Sequence, residues 1–407
     1  MYRPDVIVLD FETALTDGTP STEYYREDFR AVSAAFAWRD EAGKVVTRYE
    51  TGEQKIWEIL TWLQDNGPVR LAVHNFQFEY GVLLHRFGES YAGMVDVCTM
   101  RLTQVSDNGG KLAQRYEKTT QTYEELLDSM ENEEDATPNY TTGLGLVSAA
   151  SRWLPAEYQN HKEPFHALIR ERAKCKKGQE GKNLDALTPD ELKAYNVRDA
   201  EVTLALYYKL TEQFKADGYA WQLDHRLYRE SAKRIARAKG LGVPVNREAA
   251  LAYKLELETE LKDIARAFRS RFEKEILDIE LQAMVEWAND LKTETGRSKR
   301  KERLATDEEF KQGFQFNIGS NQQLTALCMG KLGMEAKFTT KKGSPSFKSA
   351  FLSQWGEVGK LLMKRRKRLL VLNQVTALLE LSEYDGKYHL DLKACGTTTG
   401  RFSGGRV

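Results

Sequence analysis

At 407 residues the chain exceeds what one ordinary hydrophobic core holds, so two or three domains are expected. Apolar residues make up 41% and charged residues 29%, the balance of a soluble globular protein, which excludes a disordered or fibrous chain. The 60 basic and 60 acidic side chains cancel, so any surface for a polyanion must come from local clustering.

The four cysteines (Cys98, Cys175, Cys328 and Cys395) lack CxxC spacing and read as reduced, cytosolic thiols, with no disulfide frame or zinc site. The apolar run Val6–Leu9 is too short for a signal peptide and is followed by Asp10. No stretch approaches membrane-spanning length, so a cytoplasmic protein without a membrane partner is expected.

In chain order, the first half alternates strand and helix signals. VIVLDFET, from Val6, is an apolar, β-branched run without polar alternation, the pattern of a central strand covered on both faces. Arg30–Glu50 reads as a hairpin turning at Asp40–Gly43. IWEILTWL is a short amphipathic helix, and VRLAVHN is a strand that runs into FQFEYGVLLHRF. There Tyr80, Leu83, Leu84 and Phe87 recur at helical spacing. Residues 106–141 are polar and acidic and read as an excursion from the fold. LTPDELKAYNVRDAEVTLALYYKL opens with Thr188 as N-cap, Pro189 at the first helical position and Glu191 at the third.

From about Trp221 to Asp290 the pattern is long-helical, with one break at Gly240–Asn246. Lys292–Arg303 is a basic loop, LLMKRRKRLLVLNQVTALLEL a basic amphipathic helix, and YDGKYHLDLKA a hairpin around Asp385–Gly386. The domain boundary is placed near residue 215.

Asp10 and Glu12 sit two apart at the carboxyl end of the first strand, so both side chains point to one face. Neighbouring carboxylates repel unless a divalent cation neutralises them. The same spacing recurs at Asp199/Glu201 and Asp307/Glu309, and its ordinary meaning is a solvated surface. Asp10 and Glu12 differ in closing an apolar strand, which favours a metal site. Glu79 follows Asn75 by four residues at the start of a helix; Tyr195 and Asp199, also four apart, share one helical face. Capping residues or surface pairs are the plainer readings of each.

In this order the set resembles the three motifs of the DEDD 3′→5′ exonucleases: Asp10-x-Glu12, Asn75-x-x-x-Glu79 and Tyr195-x-x-x-Asp199. The tyrosine matches the subgroup that proofreads within DNA polymerases, and Glu79 departs from the usual aspartate. The resemblance implies two divalent ions, Mg²⁺ or Mn²⁺. Asp10 would bridge them, Glu12 and Asp199 would be further ligands, Glu79 would act through water, and Tyr195 would orient the attacking water.

The second half resembles the thumb of family A DNA polymerases, carried by FNIGSNQQL, KKGSPS and GTTTGRFSGG in the family's order. The resemblance implies an α/β, ribonuclease-H-like exonuclease domain with a mixed sheet over residues 1–215. A mainly α-helical thumb over 216–380 and the β start of a palm over 381–407 would follow. Its partners would be a single-stranded DNA 3′ end and a primer–template duplex. Lys341, Lys342, Lys364, Arg365 and Arg368 stand in cationic stretches suited to phosphate contact, within which Lys364–Arg368 is an unbroken basic run. Asn75, Thr399, Gly400 and Arg401 are further DNA contacts by resemblance. In that family the palm aspartates and fingers follow the TGR-type segment. This chain alone is therefore expected not to polymerise: it reads either as one part of a polymerase encoded in two pieces, with a second chain carrying palm and fingers, or as a truncated piece of a longer one. Two alternatives stay open: a DNA-clamping subunit with a degenerate exonuclease site, and a free-standing RNA-trimming nuclease.

Overall fold

The first strand sets the architecture through the alternation of its side chains. In the computed structural model, which describes residues 4–66, 69–105, 145–216, 228–290, 315–340, 343–393 and 403–404, β1 (Ile7–Leu15) is the central strand of a five-stranded mixed sheet. β2 (Phe29–Arg39) and β3 (Val45–Thr51) form the expected antiparallel hairpin beside it, turning where Asp40 accepts from the backbone of Ala42 and Lys44. On its other side β4 (Leu71–Val73) and β5 (Val95–Cys98) run parallel, giving the order β3-β2-β1-β4-β5.

Ile7, Leu9 and Phe11 face one layer of the core, and Val6 and Val8 face the other. The first layer is covered by α1 (Glu53–Asp65), whose Ile56, Ile59, Leu60 and Leu63 are buried at helical spacing, and by α2 (Phe76–Val82), which continues as a wider turn through Phe87. The opposite layer is covered by α3 (Leu146–Trp153) and by the long α5 (Pro189–Ala216), with α4 (Glu163–Ala173) between them in sequence. At the start of α5 the capping box forms as expected. The Thr188 N–H donates to Glu191 Oε2 at 2.8 Å, and the Glu191 N–H donates to Thr188 Oγ1 at 3.4 Å.

The described chain divides into two compact units, residues 1–243 with 388–406, and residues 244–387. The boundary therefore falls beyond the expected residue 215, because α6 (Arg229–Leu241) packs in the first core through Ala232 and Ala236. Tyr24 fixes this attachment: its hydroxyl donates to the Ala236 carbonyl at 3.0 Å while its ring lies against Gly81 of α2. A Cβ at Gly81 would stand 2.3 Å from that ring, so only glycine permits the approach.

The second unit is helical. α7 (Arg247–Arg271) packs along α10 (Gly356–Leu381), and Arg247 donates to the Leu379 carbonyl at 2.6 Å and to Ser382 Oγ at 2.9 Å. α8 (Glu273–Asp290) follows α7 after a second interruption, which the sequence pattern did not signal. Phe272 leaves helical geometry there and buries its ring beside Phe268. The short α9 (Asn321–Thr325) is capped by Ser320, as expected. Gly359 lets α10 begin tightly, since a Cβ there would meet the Leu352 carbonyl oxygen at 1.7 Å.

Two local expectations are corrected. α10 is not cleanly amphipathic: Val358, Leu362 and Leu379 are buried, but Leu370 is 60% and Leu381 48% exposed. YDGKYHLDLKA does not form its own hairpin. Gly386 closes the end of α10 by donating to the Ser382 carbonyl, and β6 (Leu392–Lys393) pairs antiparallel with β7 (Ser403–Gly404) instead. The segment 106–141, the loop Lys292–Arg303, and Lys341, Lys342, Thr399, Gly400 and Arg401 lie outside the described residues.

Candidate active site

β4 pairs with β1 only at Ile7 and Val8, so β1 runs on past its parallel neighbour. Asp10 and Glu12 stand on that overhang, on the even-numbered face that α5 covers. The register slips between Glu12 and Thr13, an irregularity of the kind that re-aims a side chain at a strand end. α5 crosses β1 and β2 and presents Tyr195, Asn196 and Asp199 to this end of the strand. The carboxylates of Asp10, Glu12 and Asp199 each offer an oxygen, and these oxygens lie within 4.8 Å of one another.

Asn196 holds the arrangement. Its amide donates to Asp10 Oδ2 at 2.6 Å and to the Asp10 carbonyl at 3.3 Å, while its Oδ1 accepts from Ser33 Oγ at 3.3 Å. Glu79, at the first turn of α2, is only 3% exposed, and its Oε2 has no hydrogen-bond partner. It lies outside the group of three but close enough for its charge to be coupled to Asp10. Asn75 occupies the N-cap of α2 without making a side-chain cap bond, and its side chain is exposed.

The electrostatics are those of anions withdrawn from water. Desolvation, and then repulsion from Asp199, pushes the Asp10 carboxyl up to about 7. Glu12 is raised well above the usual carboxylate range by desolvation and by Asp10, and Glu79 by burial and then Asp10. Asp199 goes the other way: burial would raise it, but the Lys162 ammonium and the His161 ring hold it below the ordinary value. Lys162 Nζ donates to Asp199 Oδ2 and, at 2.9 Å, to the Tyr195 hydroxyl; His161 Nε2 meets Asp199 Oδ1 at 3.0 Å. Burial, and then the Asp199 charge, raises the Tyr195 phenol above its normal value, so it stays protonated throughout the working range. Its ring is steadied edge-on by Phe165, with centroids 5.5 Å apart.

A site of hard oxygen donors, carrying surplus negative charge and a buried carboxylate oxygen without a partner, fits a divalent cation. Asp10, Glu12, Tyr195, Asp199 and Glu79 are therefore brought together, with Asn75 on the same helix start. His161, Lys162 and Asn196 were missed. Asn196 had a signal, since it shares the α5 face of Tyr195 and Asp199. Nothing in the spacing ties His161 or Lys162 to Asp199; they depend on a loop in which Asn160 takes a left-handed φ of 51°.

The basic run lies on α10, in the second unit. Lys364 is exposed, Arg365 is half-buried, and Arg368 forms an ion pair with Glu260 at 2.6 Å.

No protein-family model matches the chain. A DNA polymerase of Bacillus phage SP01 is 26% identical over 242 residues, 56% of this chain and 26% of that protein. Among solved structures, the POL domain of Pol1 from M. smegmatis, in complex with DNA primer-template and dNTP, matches with a TM-score of 0.57. Its sequence identity is 16%, covering 98% of this chain and 51% of that one. The chain thus spans about a quarter of the phage relative and about half of the solved neighbour. The sequence is similar to part of a phage DNA polymerase, and the fold to that of the Pol1 POL domain.

Proposed function

We propose that this chain belongs with the family A DNA polymerases and contributes their 3′→5′ exonuclease and thumb to DNA replication, the exonuclease removing nucleotides from a DNA 3′ end. The observation that carries this reading is the convergence of Asp10, Glu12 and Asp199 within 4.8 Å, where the central strand runs past its parallel neighbour, beside a buried Tyr195. The mixed sheet with β1 at its centre supports a ribonuclease-H-like domain, and the helical second unit supports the thumb. DNA, as a single-stranded 3′ end and as a primer–template duplex, would be the partner. Because the chain spans only part of its relatives, a polymerising activity is not assigned to the residues described. No described helix is long and apolar enough to cross a membrane.

Asp10, Glu12 and Asp199 would hold two divalent ions, Mg²⁺ or Mn²⁺, which when bound offset phosphate charge and acidify a coordinated water. The chain's own residues do the rest. Asn196 fixes the rotamer of Asp10 through its 2.6 Å bond. Glu79, one methylene longer than aspartate and with its Oε2 unpartnered, would act through water. Tyr195 keeps its proton and guides the attacking water by hydrogen bonding, being far too weak an acid to serve as a base. Water attacks phosphorus, the bond to the 3′ oxygen of the penultimate nucleotide breaks, and a nucleoside 5′-monophosphate leaves.

The purified chain, given 5′-labelled single-stranded DNA and Mg²⁺, is expected to yield a ladder shortening from the 3′ end. No ladder, or one unaltered by Asp10→Ala, overturns the assignment. A second reading, a DNA-clamping subunit with a silent nuclease site, is favoured by one observation: Lys162 already neutralises Asp199. It predicts salt-sensitive DNA binding without metal-dependent cleavage. Comparing DNA with RNA oligomers separates both readings from an RNA-trimming nuclease.

A further inference from the structure

Two neighbouring side chains, His161 and Lys162, reach the site from outside all three carboxylate-bearing segments. The loop that carries them is built for this. Asn160 sits at a left-handed φ of 51°, and the Glu163 N–H closes the turn onto the Asn160 carbonyl at 2.9 Å. Asparagine enters this left-handed region more readily than other non-glycine residues, which suits it to the turn. The turn aims two consecutive side chains at one carboxylate, and each takes a different oxygen of Asp199. His161 is further fixed by Nδ1, which lies 3.1 Å from the Tyr158 carbonyl.

Lys162 has a second contact, and its chemistry is directional. An ammonium has three donors and no acceptor. At 2.9 Å it can only donate to the Tyr195 oxygen, so the phenol must point its own hydrogen elsewhere. Phe165, Ile169 and Leu187 pack around the ring, with the His166 ring centroid 6.4 Å away, and the Asp199 and Glu12 carboxylates lie close enough to act on the phenol and to accept that hydrogen. The Lys162 ammonium also sits against the carboxylate that completes the group of three, where it supplies positive charge the cluster otherwise lacks.

Resting on the nuclease reading above, we infer that Lys162 is a positioning residue with two separable effects: it aims the Tyr195 hydroxyl hydrogen into the site, and it opposes cation binding at Asp199. The two effects have opposite signs on removal. Without the ammonium the carboxylates bind a divalent cation more tightly. Without the donated hydrogen bond the phenol loses its fixed direction and turnover falls. A side chain that merely held the loop in place would weaken both together.

The test uses the full chain and Mn²⁺ alone, titrated calorimetrically without DNA, beside single-turnover cleavage of labelled single strands at saturating metal. Lys162→Met is expected to bind Mn²⁺ about tenfold more tightly, as expected for losing one partly solvated like charge. Its cleavage rate is expected to fall about 10- to 100-fold with little change in KM for DNA. Lys162→Arg keeps the charge and is expected to restore wild-type Mn²⁺ affinity. In a Tyr195→Phe background the Lys162→Met change is expected to cost less than about threefold in rate, because the two residues act as one unit. Lys162→Gln carries the same expectations should the methionine variant not fold. Unchanged or weaker Mn²⁺ binding in the uncharged variants, or rate losses that multiply in the double variant, overturns the inference. Absence of cleavage by the wild-type chain overturns the nuclease reading instead, and the Mn²⁺ titration still decides the effect of Lys162 on cation binding.

Discussion

In the first unit Asp10 and Glu12 on β1, Glu79 in the first turn of α2 and Asp199 within α5 are withdrawn from water, and their acidities are displaced. In the second unit the run Lys364–Arg368 lies along the flank of α10, where Lys364 and Lys367 stay exposed. Desolvated like charges are expensive unless a counter-ion arrives, which is why such clusters mark chemistry. Solvated charges on a helix cost little and act on a partner only through screened, additive attraction. Mutations in the two places should therefore differ in size, in metal dependence and in salt dependence.

The sharpest break of this contrast is Asp10→Ala or Asp199→Ala. Either is expected to lower 3′→5′ cleavage on the order of a thousandfold, through loss of metal-held charge stabilisation. For Asp10→Ala the melting temperature of the metal-free chain should hold or rise, since the change removes a carboxylate raised by burial and by repulsion from Asp199. For Asp199→Ala it should fall, because Lys162 and His161 lose their partner. A fall for Asp10→Ala would mean that this carboxylate is structural.

Glu79→Gln should come next. The change keeps volume and removes charge from a side chain outside the group of three. Cleavage should drop about 10- to 100-fold, while calorimetric Mn²⁺ affinity, set by Asp10, Glu12 and Asp199, should change only a few-fold. Glu79→Asp, which restores the family's usual residue, should retain most of the cleavage rate.

The two regions also differ in how far they could be read from residues alone. β1 was legible because a β-branched run without polar alternation has one home, the centre of a sheet, and Asp10 and Glu12 then had to share a face, although the strand runs on to Leu15 rather than ending with them. Tyr195 and Asp199 were legible through helical spacing, and Thr188 through its capping box. Lys162 and His161 were not, because their role arises from a single left-handed residue that turns a loop toward a helix nearly forty positions away. Local pattern carries no information on such a closure. α6 was assigned to the wrong half for a similar reason: its Ala232 and Ala236 face is as suited to one core as another until Tyr24 and Gly81 are seen to receive it. The interruption at Phe272 falls in the same class, since a buried aromatic at a helix end has no breaker residue to announce it.

Acidity offers a test that leaves the sequence intact. Asp10 is raised in the folded chain to about 7, against about 3.9 when unfolded. Between these values the folded state keeps a proton that the unfolded state has released, so folding is favoured at the acid end. The destabilisation grows as pH rises and is complete above about 7. Glu12 and Glu79 shift in the same direction. The chelated chain should thus melt at progressively lower temperature from about pH 5 to about pH 8. Saturating Mg²⁺ should flatten or reverse that slope by binding the ionised folded site. Glu180 does not obscure this window. Its carboxyl is held down at about 2, chiefly by Arg170 at 2.5 Å, so its contribution is present above the ordinary carboxylate range and lost only on further acidification.

The smallest effects belong to α10, and there the contrast can be sharpened within five residues. Lys364→Ala and Lys367→Ala remove exposed charges, so duplex affinity should fall about equally on every sequence. The slope of log K against log salt should lessen by about 0.9 for each phosphate that is no longer neutralised. Arg368 faces Glu260 at 2.6 Å with both side chains still open to solvent. Arg368→Ala should therefore cost less than about 1 kcal/mol of stability, the ordinary worth of such a pair. Because Glu260 already engages Arg368, its removal should alter the salt slope less than either lysine does. Fluorescence anisotropy on one duplex over a salt series measures all three. Equal slopes for all three variants would mean that Arg368 leaves Glu260 for phosphate when DNA binds.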